Sequence, residues 1–257
     1  MKKKYTFISN WKMNFTFKEA IRFATKNYDD FTNMSEKSEQ KLIICPGVEV
    51  LYSLMQIFKD TEIIIGAQNC SQHSNGNFTG QVSPYSLNSI GCEYCIIGHS
   101  EVRKDLNDTN EKVAQKCNHL LDYDITPIIC IGEAEEEYKN EQTIHSLQKQ
   151  LNPIIETLNS KSNLHEYISP IVAYEPSWSI GTGKVASEDY LNRMFSWLDG
   201  HLRKNCPKIE WNLIYGGSLT AENIAGIKKI DKINGFLIGK SSIDFQEFEK
   251  IVQLALL

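Results

Sequence analysis

Ile171-Val172-Ala173-Tyr174-Glu175-Pro176 is the stretch on which the fold turns. Four apolar residues stand in a row, β-branched at the start, with no alternation of polar and apolar positions. A strand with one face in water alternates. A continuously apolar one is covered on both faces, as in a parallel sheet lined by helices. The run then stops at a carboxylate and a proline. Short runs of similar build recur in both directions: Thr6–Ser9, Leu42–Cys45, Ile63–Ile65, Tyr94–Ile97 and Ile128–Ile131 before it, Leu213–Tyr215 and Gly235–Ile238 after it. With the first stretch, that makes eight.

Helical periods fill the intervals. Val113, Cys117, Leu120 and Leu121 repeat at i, i+4, i+7 and i+8. Ile144, Leu147, Leu151, Ile154 and Leu158 mark a long helix, with Pro153 as a candidate kink. Tyr190, Met194, Trp197 and Leu198 mark another, and Phe245, Phe248, Ile251 and Ala255 a last one. Strand and helix alternating eight times predict a closed (β/α)₈ barrel in one domain, residues 1–257; an open doubly wound sheet is the structural alternative. The polar stretch from Thr32 to Gln40 reads as a surface loop before the second strand.

Composition narrows the function classes. The chain has 257 residues, 41% of them hydrophobic, and a net charge of −5, which fits a globular core and opposes nucleic-acid binding. No apolar run approaches the roughly 18 residues of a membrane helix. Met1-Lys2-Lys3-Lys4 has the charge of a signal-peptide start, but Asn10 and Lys12 interrupt the apolar stretch behind it. A cytoplasmic protein is expected. Seven scattered cysteines, an odd number, predict reduced thiols. Cys92 and Cys95 have redox spacing, but an extended chain holds them roughly 10 Å apart, too far to bridge.

In such a barrel the chemistry gathers at the C-terminal ends of the strands. The first run ends in Asn10-Trp11-Lys12, where period-two geometry sets Asn10 and Lys12 on one face and Trp11 on the other. The fourth ends in Gly98-His99-Ser100-Glu101. The sixth ends in Glu175, a general-base candidate because partial burial raises a carboxylate toward the working range. A solvated lysine, a core histidine and a salt-bridged glutamate would account for the three singly; one shared site accounts for them together. Pro176-Ser177-Trp178-Ser179-Ile180-Gly181-Thr182-Gly183-Lys184 has a stiff start, an apolar middle and glycines at its end, the build of a lid. Tyr215-Gly216-Gly217-Ser218 and Gly239-Lys240-Ser241-Ser242 suit an anion held on backbone N–H groups, although two ordinary turns would also fit.

These motifs closely resemble the triosephosphate isomerase family. Asn10-Trp11-Lys12-Met13-Asn14, Gly66-Ala67-Gln68-Asn69, Phe78-Thr79-Gly80, Gly98-His99-Ser100-Glu101, Cys130-Ile131-Gly132-Glu133, Ala173-Tyr174-Glu175-Pro176 and Tyr215-Gly216-Gly217-Ser218 follow in family order along nearly the whole chain. The resemblance implies a mechanism that combines pKa tuning with loop closure. The resemblance implies interconversion of dihydroxyacetone phosphate and glyceraldehyde 3-phosphate, in glycolysis and gluconeogenesis, with no metal or organic cofactor. Glu175 is then the base, His99 the neutral group that polarises the carbonyl, and Lys12 the cation that offsets developing charge. Asn10 orients the substrate. Backbone groups of Gly181, Ser218, Gly239 and Lys240 hold the phosphate, and Glu101 and Cys130 support the site.

A homodimer is also implied, with Thr79 supporting the partner's site. The chain departs from the family where Val102 replaces an arginine and Gln81 a glutamate, a pair that often bridges that interface. Asn77 replaces a small residue of the interface loop, and Lys240 replaces a glycine of the phosphate turn.

Overall fold

The computed structural model describes residues 3–38, 40–161, 169–179 and 185–257. Eight strands form one parallel sheet: β1 Thr6–Asn10, β2 Lys41–Cys45, β3 Ile63–Ile65, β4 Tyr94–Ile97, β5 Thr126–Ile131, β6 Ile171–Tyr174, β7 Asn212–Tyr215 and β8 Gly235–Ile238. Their order is β3-β2-β1-β8-β7-β6-β5-β4. The two ends meet through a parallel bridge, with Ala67 N donating to Tyr94 O at 2.8 Å and Ile96 N to Ala67 O at 2.9 Å. The sheet is therefore a nearly closed (β/α)₈ barrel, and the open doubly wound alternative falls.

The absence of alternation now has its cause. Ile8, Ile43, Ile96, Ile128, Ala173 and Ile214 pack inside the barrel. Their neighbours Phe7, Leu42, Cys95, Ile129, Val172 and Leu213 pack outward against the helices. Each strand meets apolar surface on both faces, and a fully buried aliphatic side chain is worth about 1.5–3 kcal/mol.

Several helices of the outer layer start where a side chain satisfies a free N–H group. In α1, Phe17–Lys26, Thr16 and Glu19 make a reciprocal capping box. Next come α2, Tyr28–Ser38, α3, Leu51–Ile57, and α4, Pro84–Ser89, the last capped by Ser83. Beyond β4 lie α5, Ser100–Asp105, and α6, Asn110–Asp122, the latter capped by Thr109. Following β5 are α7, Glu135–Lys139, and α8, Thr143–Ser160, which runs through Pro153 without ending. The outer layer is completed by α9, Glu188–Asn205, α10, Ile224–Ile227, and α11, Phe245–Leu256.

The expected loop from Thr32 to Gln40 is overturned, because α2 continues through Ser38. Phe31 and Ser35, four positions apart, are buried on one narrow stripe, while Thr32 to Met34 are half-buried or exposed. Tertiary contact along that stripe outweighs a polar, weakly helical composition. Cys92 and Cys95 stay apart from any redox role: both are buried, Cys95 lies within β4, and burial pushes the Cys92 thiol up to about 12. Among the described residues no helix is long and apolar enough to cross a membrane.

Candidate active site

A cleft of about 260 Å³ opens at the C-terminal end of the barrel, lined by Asn10, Lys12, His99 and Glu175 and by the turns after β7 and β8. The residues from three strand ends singled out in the sequence thus meet in one place.

Lys12 reaches the cleft by a left-handed turn, not by extending β1. Its φ is +51°, a region that costs a non-glycine residue about 1–2 kcal/mol. Two side chains hold it there. Lys12 N donates to Asn10 Oδ1 at 3.1 Å, and Gln68 Nε2 donates to Lys12 O and Cys45 O, both at 2.9 Å. Trp11 between them is buried on the helix side of the sheet. The ammonium of Lys12 lies 2.5 Å from Glu101 Oε1.

His99 is the N-cap of α5. Its Nδ1 accepts from the backbone N–H of Glu101 at 3.3 Å, which leaves the ring proton on Nε2. That Nε2 faces Glu175 Oε1 at 3.6 Å. Glu175 is 3% exposed. Burial raises its carboxyl above the ordinary range, opposed by the nearby His99 and Lys12, by the Cys130 thiol and by the backbone N–H of Ser100. Cys130, buried inside the barrel, is itself pushed well up by burial and hydrogen-bonds to Glu175. Two glycines make room for Glu175, one for its side chain and one for its backbone. A Cβ on Gly216 would lie 2.7 Å from Glu175 Cγ, and one on Gly132 would lie 1.8 Å from the Glu175 carbonyl oxygen.

On the opposite wall, Ser218, Gly239 and Lys240 line the cleft. Lys240 opens a short 3₁₀ turn, Lys240–Ser242, with a negative φ, so it carries no left-handed strain. Lys12 crosses close to this turn: a Cβ on Gly239 would stand 3.3 Å from Lys12 Cε and 3.8 Å from Nζ. Gly181 and the rest of 180–184 lie outside the described residues.

Sequence reasoning gave no role to a second carboxylate. Glu133 is fully buried and accepts from Trp178 Nε1 at 2.7 Å, Tyr190 OH at 2.8 Å and Tyr174 OH at 3.1 Å. Its carbonyl accepts from Ser177 N at 3.1 Å and Ser177 Oγ at 2.6 Å. Burial raises Glu133 too, against those hydrogen bonds. The backbone just after Glu175 is therefore anchored to the end of β5. Arg103 was also missed. It donates to Gly98 O at 2.6 Å and Cys130 O at 3.3 Å, bracing the β4–α5 turn that carries His99. Among the described residues no group of His, Cys, Asp or Glu is arranged to hold a metal ion.

A buried base, an imidazole N–H, an ammonium and a wall of glycine and serine backbone suit proton abstraction beside a carbonyl in a small phosphate ester. Comparison with known proteins points the same way. A family model described as triosephosphate isomerase matches residues 5–255. A protein of that name from Endomicrobium trichonymphae is 34% identical over 248 residues, covering 95% of this chain and 96% of its own. One from Wolbachia pipientis wMel is 34% identical over 249 residues, with 97% and 93% covered. One from Chlamydia muridarum is 35% identical over 254 residues, with 97% and 90% covered.

Proposed function

The chain belongs to the triosephosphate isomerase family, and on that premise we propose how its own residues interconvert dihydroxyacetone phosphate and glyceraldehyde 3-phosphate. Glu175 removes a proton from one carbon and returns it to the neighbouring one. Its raised affinity for protons makes it a stronger base than an exposed carboxylate. His99 donates from Nε2 to the substrate oxygens as the enediolate forms, and Lys12 offsets the negative charge there. Asn10 orients the substrate while also fixing the Lys12 turn. Backbone N–H groups of Ser218, Gly239 and Lys240, with Gly181 from the lid segment, hold the phosphate. Excluding water over the enediolate suppresses loss of phosphate as a side reaction. Glu101 positions Lys12, and Cys130 positions Glu175.

The observation that carries this reading is Glu175 facing His99 Nε2 at 3.6 Å in the cleft that Lys12 shares. The isomerisation serves glycolysis and gluconeogenesis. The working form is a cytoplasmic homodimer of a single-domain chain. A coupled assay on wild type and Glu175→Gln tests the assignment. Wild type is expected to isomerise triose phosphate, and the variant to lose about 10²–10⁴-fold in kcat with its circular dichroism unchanged. Turnover near wild type in Glu175→Gln removes that residue from the base role.

A further inference from the structure

The turn after β8 carries a cation that the proton transfers do not require. Lys240 lines the cleft, yet its side chain is exposed and its backbone is unstrained. Lys12, the other ammonium of the cleft, is held in an ion pair with Glu101 at 2.5 Å. Among the described residues, no comparable ion pair ties down Lys240. The chain as a whole bears a net charge of −5 and so repels an anionic ester at long range. An uncompensated positive charge at the mouth of an otherwise unfavourable surface is where field has most effect on encounter.

We infer that Lys240 is an electrostatic guide: its solvated ammonium draws a dianionic phosphate ester toward the turns after β7 and β8, where backbone donors take over the binding. An ammonium is strongly hydrated, so remaining in solvent keeps its shell intact while its charge still acts across the cleft. The inference rests on the isomerase reading, in which the ligand is a triose phosphate. Reactions of this family are a standard example of catalysis near the diffusional ceiling, where the rate of encounter sets kcat/KM. There a guiding charge acts on kcat/KM directly and weakens with salt, as the screening length drops from about 30 Å at 0.01 M to about 8 Å at 0.15 M.

The test is kcat/KM for glyceraldehyde 3-phosphate from about 0.01 to 0.3 M ionic strength in wild type, Lys240→Gln and Lys240→Glu. Lys250→Gln, on the outer face of α11, changes net charge equally far from the cleft. At low salt the expected order is wild type, then Gln, then Glu, with about threefold per unit charge, and the gaps narrow as salt rises. Lys250→Gln is expected to follow wild type. Parallel salt profiles for all four proteins overturn the guide. So does a loss of more than about tenfold in inorganic-phosphate affinity in Lys240→Gln that persists at high salt, because the ammonium is then a direct ligand. A wild-type protein without isomerase activity overturns the underlying reading instead, so the two failures separate.

Discussion

At the scale of single residues, the site sets stability against chemistry at Glu175. Burial raises its carboxyl in the folded chain. A group raised on folding contributes its stability fully below the unfolded value, roughly 4.3 for a glutamate, and loses it as pH rises through the folded value. At neutral pH the ionised Glu175 therefore weakens the fold. Glu175→Gln is expected to melt higher than wild type at pH 7 to 8, with the difference fading toward pH 4; melting curves across that range check it. A variant that melts lower at neutral pH would mean that contacts with His99, Lys12 and Ser100 outweigh burial. His99 makes a separate prediction. Since Nδ1 accepts a backbone N–H, nitrogen NMR of the ligand-free enzyme should place the ring proton on Nε2. Glu175, His99 and Lys12 were legible in the sequence because each closes or closely follows an apolar run. Glu133 was not given a role, because Tyr174 and Tyr190 reach it from 41 and 57 positions away and no local pattern encodes such a cluster.

Among the elements, the strands were legible to within two residues because burial on both faces leaves an unbroken apolar signature. The second helix was not. Its buried stripe is narrow, and a composition of Thr, Asn and Ser imitates a loop. The turn at Lys12 was right in outcome and wrong in means. Alternation put Asn10 and Lys12 on one side, whereas a left-handed residue actually carries Lys12 into the cleft. Close approach between elements was equally silent. The end of β5 presses against the residue after β6 so tightly that Gly132 is the only type that fits, and Gln150 of α8 clamps both its N–H and its carbonyl, at 3.0 and 2.8 Å. Gly132→Ala is expected to cost at least the roughly 1–3 kcal/mol of an overpacked core position. The measurements are soluble yield and melting temperature, and an alanine variant as stable as wild type would show that the two strand ends can separate freely.

For the molecule as a whole, apolar surface left in water argues for a second copy. Met13 is 98% exposed and Leu106 69%, while Val48 and Tyr85 are more than half exposed. Phe78, in the loop that resembles the family's interface loop, stacks on His73 with ring centroids 3.7 Å apart. With Gln81 accepting from Ser71 Oγ at 2.5 Å and Val102 uncharged, packing and neutral hydrogen bonds would have to orient the partners. Sedimentation over a dilution series, with activity followed in parallel, is expected to show a dimer that dissociates more readily than is usual for the family and loses turnover as it does. A fully active monomer would show that the interface does not organise the site. The left-handed backbone at Lys12 has its own bearing on the history of the chain. Glycine or asparagine would sit at that φ with less strain, so a library selected only for heat resistance should enrich Lys12→Gly and Lys12→Asn. A parallel library selected for turnover as well as heat resistance is expected to keep the lysine, so the two selections should part at this one position.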